Sequence, residues 1–380
     1  MKKICIVTTD VILAYQPTIL NLYDQLKEHF QPEIISFKPS YISSKKITDK
    51  NVVYLEQNSI LKKIFYWLDF AMNVTTKRIY KKLYQNFYYN SYFSKYFARF
   101  TLARYLKKVD PDIFIVVDFM ALFTFQQSRP NDYCHFLSLE IYDNDEHRRM
   151  VNTERIQSVI IQSGDRYKYL FPNEELKVFY IQNAPPTSHF SFKENKTKSL
   201  IWAGSIIPRF GVLNCIEFIR KFPNYSLTLK GGGEAQFISR IKNDFSDLID
   251  QGSLVIDNSY LDGKDFINYI SDFAIGFCFY DIILTRSSFN YRTAPSGKLF
   301  SYYAAAVPVI ALNIPGLSSV DEFKTGVLID TYDPDVILQA VEKILKNYKY
   351  YSNNCKTAAD YYAFDRNCYQ FMNYLSDHKK

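Results

Sequence analysis

Residues 292–312 read RTAPSGKLFSYYAAAVPVIAL. Pro295-Ser296-Gly297 is turn chemistry placed to open a helix, since proline presets φ and serine suits a cap. KLFSYYAAA (298–306) is that helix, and its small-residue end suits close packing. VPVIAL (307–312) is an apolar run of strand length. A helix start offers free backbone N–H groups and partial positive charge, which phosphate binds well. Lys298, in the first turn, adds a full charge. On these residues alone, phosphate binding and an ordinary turn with a solvated lysine stand level.

Upstream, residues 200–234 read LIWAGSIIPRFGVLNCIEFIRKFPNYSLTLKGGGE, a strand, a Gly turn, a helix, a second strand and a Gly run. With SGKLFSYYAAAVPVIA this order and spacing resembles the GT-B nucleotide-sugar glycosyltransferases of the family 4 type. The likeness covers about residues 178–345; the first half matches in general layout. It implies an α/β chain of GT-B fold: two doubly wound, Rossmann-like domains facing a cleft. The expected boundaries are 1–183 for an acceptor-side domain, 184–198 for a polar, Pro-containing linker and 199–352 for a donor domain. The aromatic tail 353–380 is expected to pack back on the first domain.

The resemblance also implies roles. Gly204, Ser205, Lys230, Gly231, Tyr260, Leu261, Arg286, Pro295, Ser296, Gly297, Lys298 and Ser301 are the expected donor-binding residues. Lys298 and Arg209 would stabilise the leaving nucleotide's charge. Glu140, after the strand YCHFLSLE (133–140), would orient an acceptor hydroxyl, with Asp143 or His147 assisting. Asp10, Tyr15 and Gln16, in the loop after the first strand, would contact the acceptor. Three departures stand out. The related pattern has Arg and Lys where this chain has Ser205 and Phe210, with Arg209 one place early. Its Glu-x7-Glu pair falls on Thr293 and Ser301, so neither carboxylate is present. The implied reaction is transfer of a UDP- or GDP-linked sugar to a glycan or lipid-linked acceptor in cell-surface polysaccharide synthesis. It would retain configuration and need no metal and no cofactor. Three alternatives remain open: a nucleotide-sugar epimerase of the same fold, a non-catalytic scaffold or partner subunit, and a basic RNA- or lipid-binding protein.

The 380 residues exceed one ordinary core, and 47% hydrophobic content indicates a globular chain. A formal charge of +7 favours an anionic partner. The six cysteines show no paired spacing, which points to a reducing compartment without zinc or disulfides. The opening MKKICIVTTD has its apolar run cut by Thr8, Thr9 and Asp10, so it reads as a buried strand rather than a signal peptide. No stretch reaches the ~18 apolar residues needed to span a bilayer. Location in the cytoplasm, on the inner face of the membrane, is the matching expectation.

Residues 60–108 hold eleven Lys or Arg, one acid (Asp69) and fifteen aromatics. Tyr84, Tyr88, Tyr92, Tyr96 and Phe100 step by four, with Tyr89, Phe93 and Phe97 beside them, as on one helix face. Two readings compete: an interfacial helix on an anionic membrane, and a core helix with its basic residues in water. Nucleic acid is disfavoured, because basic residues confined to one or two helices suit a stacking groove poorly.

Overall fold

The computed structural model describes residues 1–9, 13–37, 47–56, 59–80, 92–142, 146–193 and 199–377. The chain divides into two compact units.

The first unit takes in Met1–Leu139, Asn144–Ile161 and Leu170–Phe179. Its sheet is built from β1 (Lys3–Val7), β2 (Gln31–Phe37), β3 (Val52–Leu55), β4 (Ile113–Val117), β5 (Cys134–Leu137), β6 (Ile156–Ile161) and β7 (Lys177–Tyr180). The order is β3-β2-β1-β4-β5-β6-β7. From β3 across to β6 the neighbours run parallel. Strands such as IFIVV (113–117) are nearly continuous apolar runs, and their buried pattern is that of a sheet covered on both faces. Residues 60–108 form two helices, Ser59–Tyr80 and Tyr92–Leu106, rather than one. Of the expected stripe, Tyr84, Tyr88 and Tyr89 lie outside the described residues. Phe97 is buried against Phe65, whereas Tyr96 and Phe100 are exposed.

The second unit takes in Glu140–Asp143, Gln162–Tyr169 and Tyr180–Lys380. Its strands are β8 (Ser199–Ala203), β9 (Ser226–Lys230), β10 (Leu254–Asp257), β11 (Ile275–Cys278), β12 (Val309–Leu312) and β13 (Gly326–Ile329). The order β10-β9-β8-β11-β12-β13 is all parallel. Strand order reverses between β8 and β11, and open α/β sheets bind ligands in the crevice at that point. Here the crevice is held apart. β11 pairs β8 only at Ile275↔Leu200 and Gly276↔Ile201. Beyond that, the Tyr302 hydroxyl accepts from Ala203 N at 2.8 Å and lies 3.1 Å from the Phe277 carbonyl. Tyr302 therefore supplies the hydrogen bonds that the parted strands lack.

The division differs from the expected 1–183 and 199–352. Residues 140–143, 162–169 and 180–183, the expected linker 184–198 and the C-terminal tail all count with the second unit. The tail forms helices Tyr348–Tyr362 and Phe364–Asp377. Ser352 Oγ donates to Ala306 O at 2.8 Å, and Cys355 Sγ lies 3.5 Å from Val307 O. This contact uses the small-residue end of helix Gly297–Ala304. Asp365 accepts from Thr187 N at 2.9 Å and also from Thr187 Oγ1, and Phe364 N donates to Pro185 O at 3.2 Å. The segment read as a linker is thus fastened by the tail. All six cysteines are buried as free thiols.

Candidate functional site

The site is best built from the carboxyl ends of β8, β9 and β11. β8 ends in Gly204, whose N–H donates to Lys230 O at 2.9 Å and whose φ is +145°. β9 ends in Gly231, with φ +144°. A Cβ on Gly231 would stand 2.2 Å from Gly204 O. The Gly run after β9 therefore lets one turn lie directly on the next, a packing duty that needs no ligand.

Helix Gly297–Ala304 starts at Ser296, which is buried and makes no side-chain cap bond. The helix therefore keeps free N–H groups at its start. In the first turn, Lys298 is half-buried and its ammonium does not reach solvent. Its Nζ is buried 3.6 Å above the Trp202 ring, with Phe210 at 4.9 Å and Tyr280 at 5.2 Å. A Cβ on Gly204 would stand 3.6 Å from Lys298 Cε, so the box lies beneath the β8 turn. Neither Lys298 Nζ nor Trp202 Nε1 has a hydrogen-bond acceptor. Burial in this apolar box pushes the Lys298 ammonium down to about 8, against weaker opposing influence from the Cys278 and Cys215 thiols. The rings stabilise the cation by about 2 kcal/mol, which offsets part of its desolvation. Of the two readings of this turn, the solvated lysine does not hold: the ammonium is buried below the turn.

Other donor-side candidates are placed as follows. Arg209 is exposed and donates through Nη1 to Tyr291 Oη at 3.0 Å, while its carbonyl accepts from Asp281 N at 2.9 Å. Gly204, Arg209, Phe210, Tyr280, Tyr291 and Lys298 are thus gathered around the switch point. Lys230 is not available to a ligand in this arrangement. Its Nζ is buried on Asp257 Oδ2 at 2.9 Å, Ser259 O at 2.8 Å and Ser259 Oγ at 2.6 Å, which uses all three protons. Burial alone would raise the Asp257 carboxyl; the bonds from Lys230 and Ser259 outweigh it and hold the group well below the usual range. This lock fixes residues 257–259, just before exposed Tyr260 and half-buried Leu261. Ser205 and Arg286 are exposed, and Pro295 and Gly297 half-buried. Ser301 Oγ donates to Gly297 O at 3.1 Å and Thr293 Oγ1 to Phe289 O at 2.8 Å. Both hydroxyls standing where the related pattern has carboxylates are turned back onto their own helices.

On the acceptor side, Asp10 and Asp143 lie outside the described residues. Tyr15 is exposed and Gln16 half-buried, at the entry to helix Pro17–Leu26 in the first unit. His147 lies tilted against Phe123, ring centroids 5.4 Å apart. Glu140 is held in the second unit by a residue that no motif marked. Asn290 Nδ2 donates to Glu140 Oε2 at 2.6 Å. Asn290 Oδ1 accepts from Ile141 N at 3.1 Å and from Arg166 Nη1 at 3.0 Å. Arg166 is fully buried, with Nε on Gln162 Oε1 at 2.8 Å and Nη1 3.5 Å from Thr293 Oγ1. The segment is clamped further by Tyr169 stacked on Phe289 at 3.9 Å. Asn290→Ala would remove one partner of Glu140 and leave Ile141 N and one arm of Arg166 without this acceptor. The expected cost is about 2–4 kcal/mol, read as a lower denaturation midpoint, with Asn290→Asp no better because it cannot donate to Glu140. A midpoint unchanged in Asn290→Ala would show that the hub carries no weight.

Among the described residues, no cluster of three His, Cys, Asp or Glu is arranged to hold a metal ion. No family model and no curated protein matches this sequence. Solved structures do. Sucrose-phosphate synthase from Thermosynechococcus elongatus superposes with a TM-score of 0.69 at 13% identity, over 99% of this chain and 98% of that one. The UDP-forming α,α-trehalose-phosphate synthase from Burkholderia vietnamiensis gives 0.65 at 11% identity, over 100% of both chains. An E. coli trehalose-6-phosphate structure bound with UDP-2-fluoro glucose gives 0.69 at 10% identity, over 99% of each. Identities this low carry the architecture alone, and on that evidence the chain has the GT-B fold of two doubly wound α/β units.

Proposed function

We propose that the second unit binds the diphosphate of a nucleotide-activated sugar and that the protein is a glycosyltransferase. The carrying observation is a buried ammonium, Lys298, without an acceptor, under the Gly204 turn and in the first turn of an uncapped helix at the switch point. A cation stored without a counter-ion is costly unless a ligand supplies the anion. Lys298, the free N–H groups of the helix start and Arg209 would together stabilise negative charge developing on the leaving nucleotide. Glu140, oriented by Asn290, is the acceptor-side group. UDP is the first donor base to test, because the neighbours include a UDP-forming synthase and a UDP-sugar complex. The finer reading is retaining, metal-independent transfer to a glycan or lipid-linked acceptor in cell-surface polysaccharide synthesis. The enzyme would work in the cytoplasm, peripherally on the inner face of the membrane. Ser205, Tyr260, Leu261, Arg286, Pro295, Ser296 and Gly297 complete the proposed donor site.

A second reading, a non-catalytic GT-B partner subunit, is favoured by one observation. Thr293 and Ser301 replace the carboxylates and spend their hydroxyls on their own helices. One experiment separates the two: thermal denaturation with UDP, GDP, ADP, CMP and their sugars, followed by donor hydrolysis and transfer assays. A ligand at about 100 times its Kd stabilises by about 2.7 kcal/mol, an upward shift of several degrees. A shift with one nucleotide plus turnover supports the enzyme; a shift without turnover supports the partner subunit. No shift at millimolar ligand overturns the enzyme reading and moves the partner-subunit reading ahead.

A further inference from the structure

We infer that the outward face of helix Ser59–Tyr80 inserts into the surface of an anionic lipid bilayer. The inference deepens the peripheral-membrane part of the function proposed above and is independent of the chemistry of transfer.

An ordinary surface helix turns its apolar stripe to the core and its charges to water. This one is reversed. Asp69, its only acid, is buried, and Phe65 packs inward on Phe97 at 5.0 Å. Ile60, Ile64, Trp67, Ala71 and Val74 follow the i, i+4, i+7 spacing of one face, and all are exposed. Leu61, Leu68 and Phe70 flank that stripe and are exposed too. Ile60 is 68% and Trp67 67% exposed. Lys63 is the charged residue described on this outward face. Tyr96 and Phe100, one turn apart on helix Tyr92–Leu106, are exposed as well. Contiguous apolar surface on this scale marks an interaction site.

Charge decides among occupants. Residues 60–108 carry eleven basic residues and one acid, against +7 for the whole chain, so the remaining chain is net acidic. Arg104, Lys107 and Lys108 are exposed near the end of the second helix. A second copy would bring the same positive segment against itself, which like-charge repulsion opposes. Among the described residues, a nucleic acid would meet a face of isoleucine, leucine, tryptophan and valine with one lysine. An anionic bilayer satisfies both features: its surface potential attracts the basic segment, and its acyl boundary takes the apolar stripe, with Trp67 at headgroup depth. Among the described residues no helix is long and apolar enough to cross a membrane, so the contact is with the surface.

The chain has two tryptophans, and Trp202 is fully buried, so a change in emission reports Trp67. Vesicles of phosphatidylcholine doped with phosphatidylglycerol should shift that emission to the blue and shield it from an aqueous quencher. Phosphatidylcholine alone should do so weakly, and added salt should lower the affinity for the doped vesicles as screening shortens. In flotation, Ile64→Glu/Trp67→Glu should bind the doped vesicles roughly tenfold or more weakly than wild type. The sites are exposed, and an unchanged melting temperature verifies the fold of the variant. Absence of flotation at low salt overturns the inference, as does equal flotation of the double variant. Concentration-dependent dimers or RNA binding, lost in the double variant without vesicle binding, would give the face to another occupant and also overturn it. If wild type floats but binds no nucleotide, the transferase reading fails and this inference stands.

Discussion

Lys298→Met is expected to remove most of the stabilisation that nucleotide confers while leaving the fold intact. Methionine keeps the unbranched length, and its thioether packs well against Trp202, Phe210 and Tyr280; it lacks only the charge. A charge-assisted hydrogen bond is worth about 1.5–3 kcal/mol, so affinity for a nucleoside diphosphate should fall by roughly tenfold to a hundredfold. The pH dependence gives a second, independent signature. Burial holds the Lys298 ammonium at about 8 in the folded chain, whereas an unfolded lysine titrates near ~10.4. Between these values the unfolded chain binds more protons, so stability rises with pH. The protonated form therefore costs stability at pH 7, and that cost is relieved from about pH 8 upward. Free wild type should gain on Lys298→Met across that window, by an order of 3 kcal/mol at most. The nucleotide-induced shift of wild type should do the opposite and shrink above about pH 8, because the ligand needs the charged form. Melting curves from pH 7 to about 10, with and without UDP, measure both. If Lys298→Met keeps the full UDP shift, the stored charge is not part of the donor site.

The parts of this molecule that were legible in the sequence are those governed by short-range pattern. Apolar runs such as ICIV and IFIVV are buried strands, because a parallel sheet covered on both faces accepts only such runs. PSGKLFSYYAAA was readable as a turn and a helix, and its alanine end does receive a packed helix. Less legible was where a charge ends up. Lys298 was readable as a cation near a helix start, but its burial depends on Trp202, Phe210 and Tyr280, from three separate segments. Lys230 and Asp257 pair across neighbouring strands, and no local period announces that register. Asn290 lies in a polar stretch of sequence with nothing to distinguish it from its neighbours, on the short helix Phe289–Thr293. Its partners Glu140 and Arg166 lie more than a hundred residues away in the chain. The reversed face of helix Ser59–Tyr80 escaped for a different reason. Periodicity reports that one face is apolar; it does not report which way that face turns.

Gly231→Ala should be strongly damaging to the second unit, and Gly232→Ala the instructive control. Gly231 has φ +144°, a conformation closed to residues with a Cβ, and that Cβ would stand 2.2 Å from Gly204 O. The obstacle is backbone, so no rotamer change relieves it. The turn after β8 must move away from the turn after β9, and Gly204 N then loses its bond to Lys230 O. Strain and the lost bond together are expected to cost about 3 kcal/mol or more, roughly 10 °C in melting temperature for a unit of this size. Nucleotide binding should fall as well, since Gly204 roofs the Lys298 box. A Cβ on Gly232 meets nothing within 4 Å, so Gly232→Ala should stay within about 1 kcal/mol of wild type, a methyl in open space having little to strain. The pair separates two reasons for a Gly run. If packing is the reason, Gly231→Ala loses stability first and Gly232→Ala keeps both stability and nucleotide binding. If ligand approach is the reason, Gly232→Ala loses nucleotide binding at unchanged stability, and the assignment of this run to packing would have to be withdrawn.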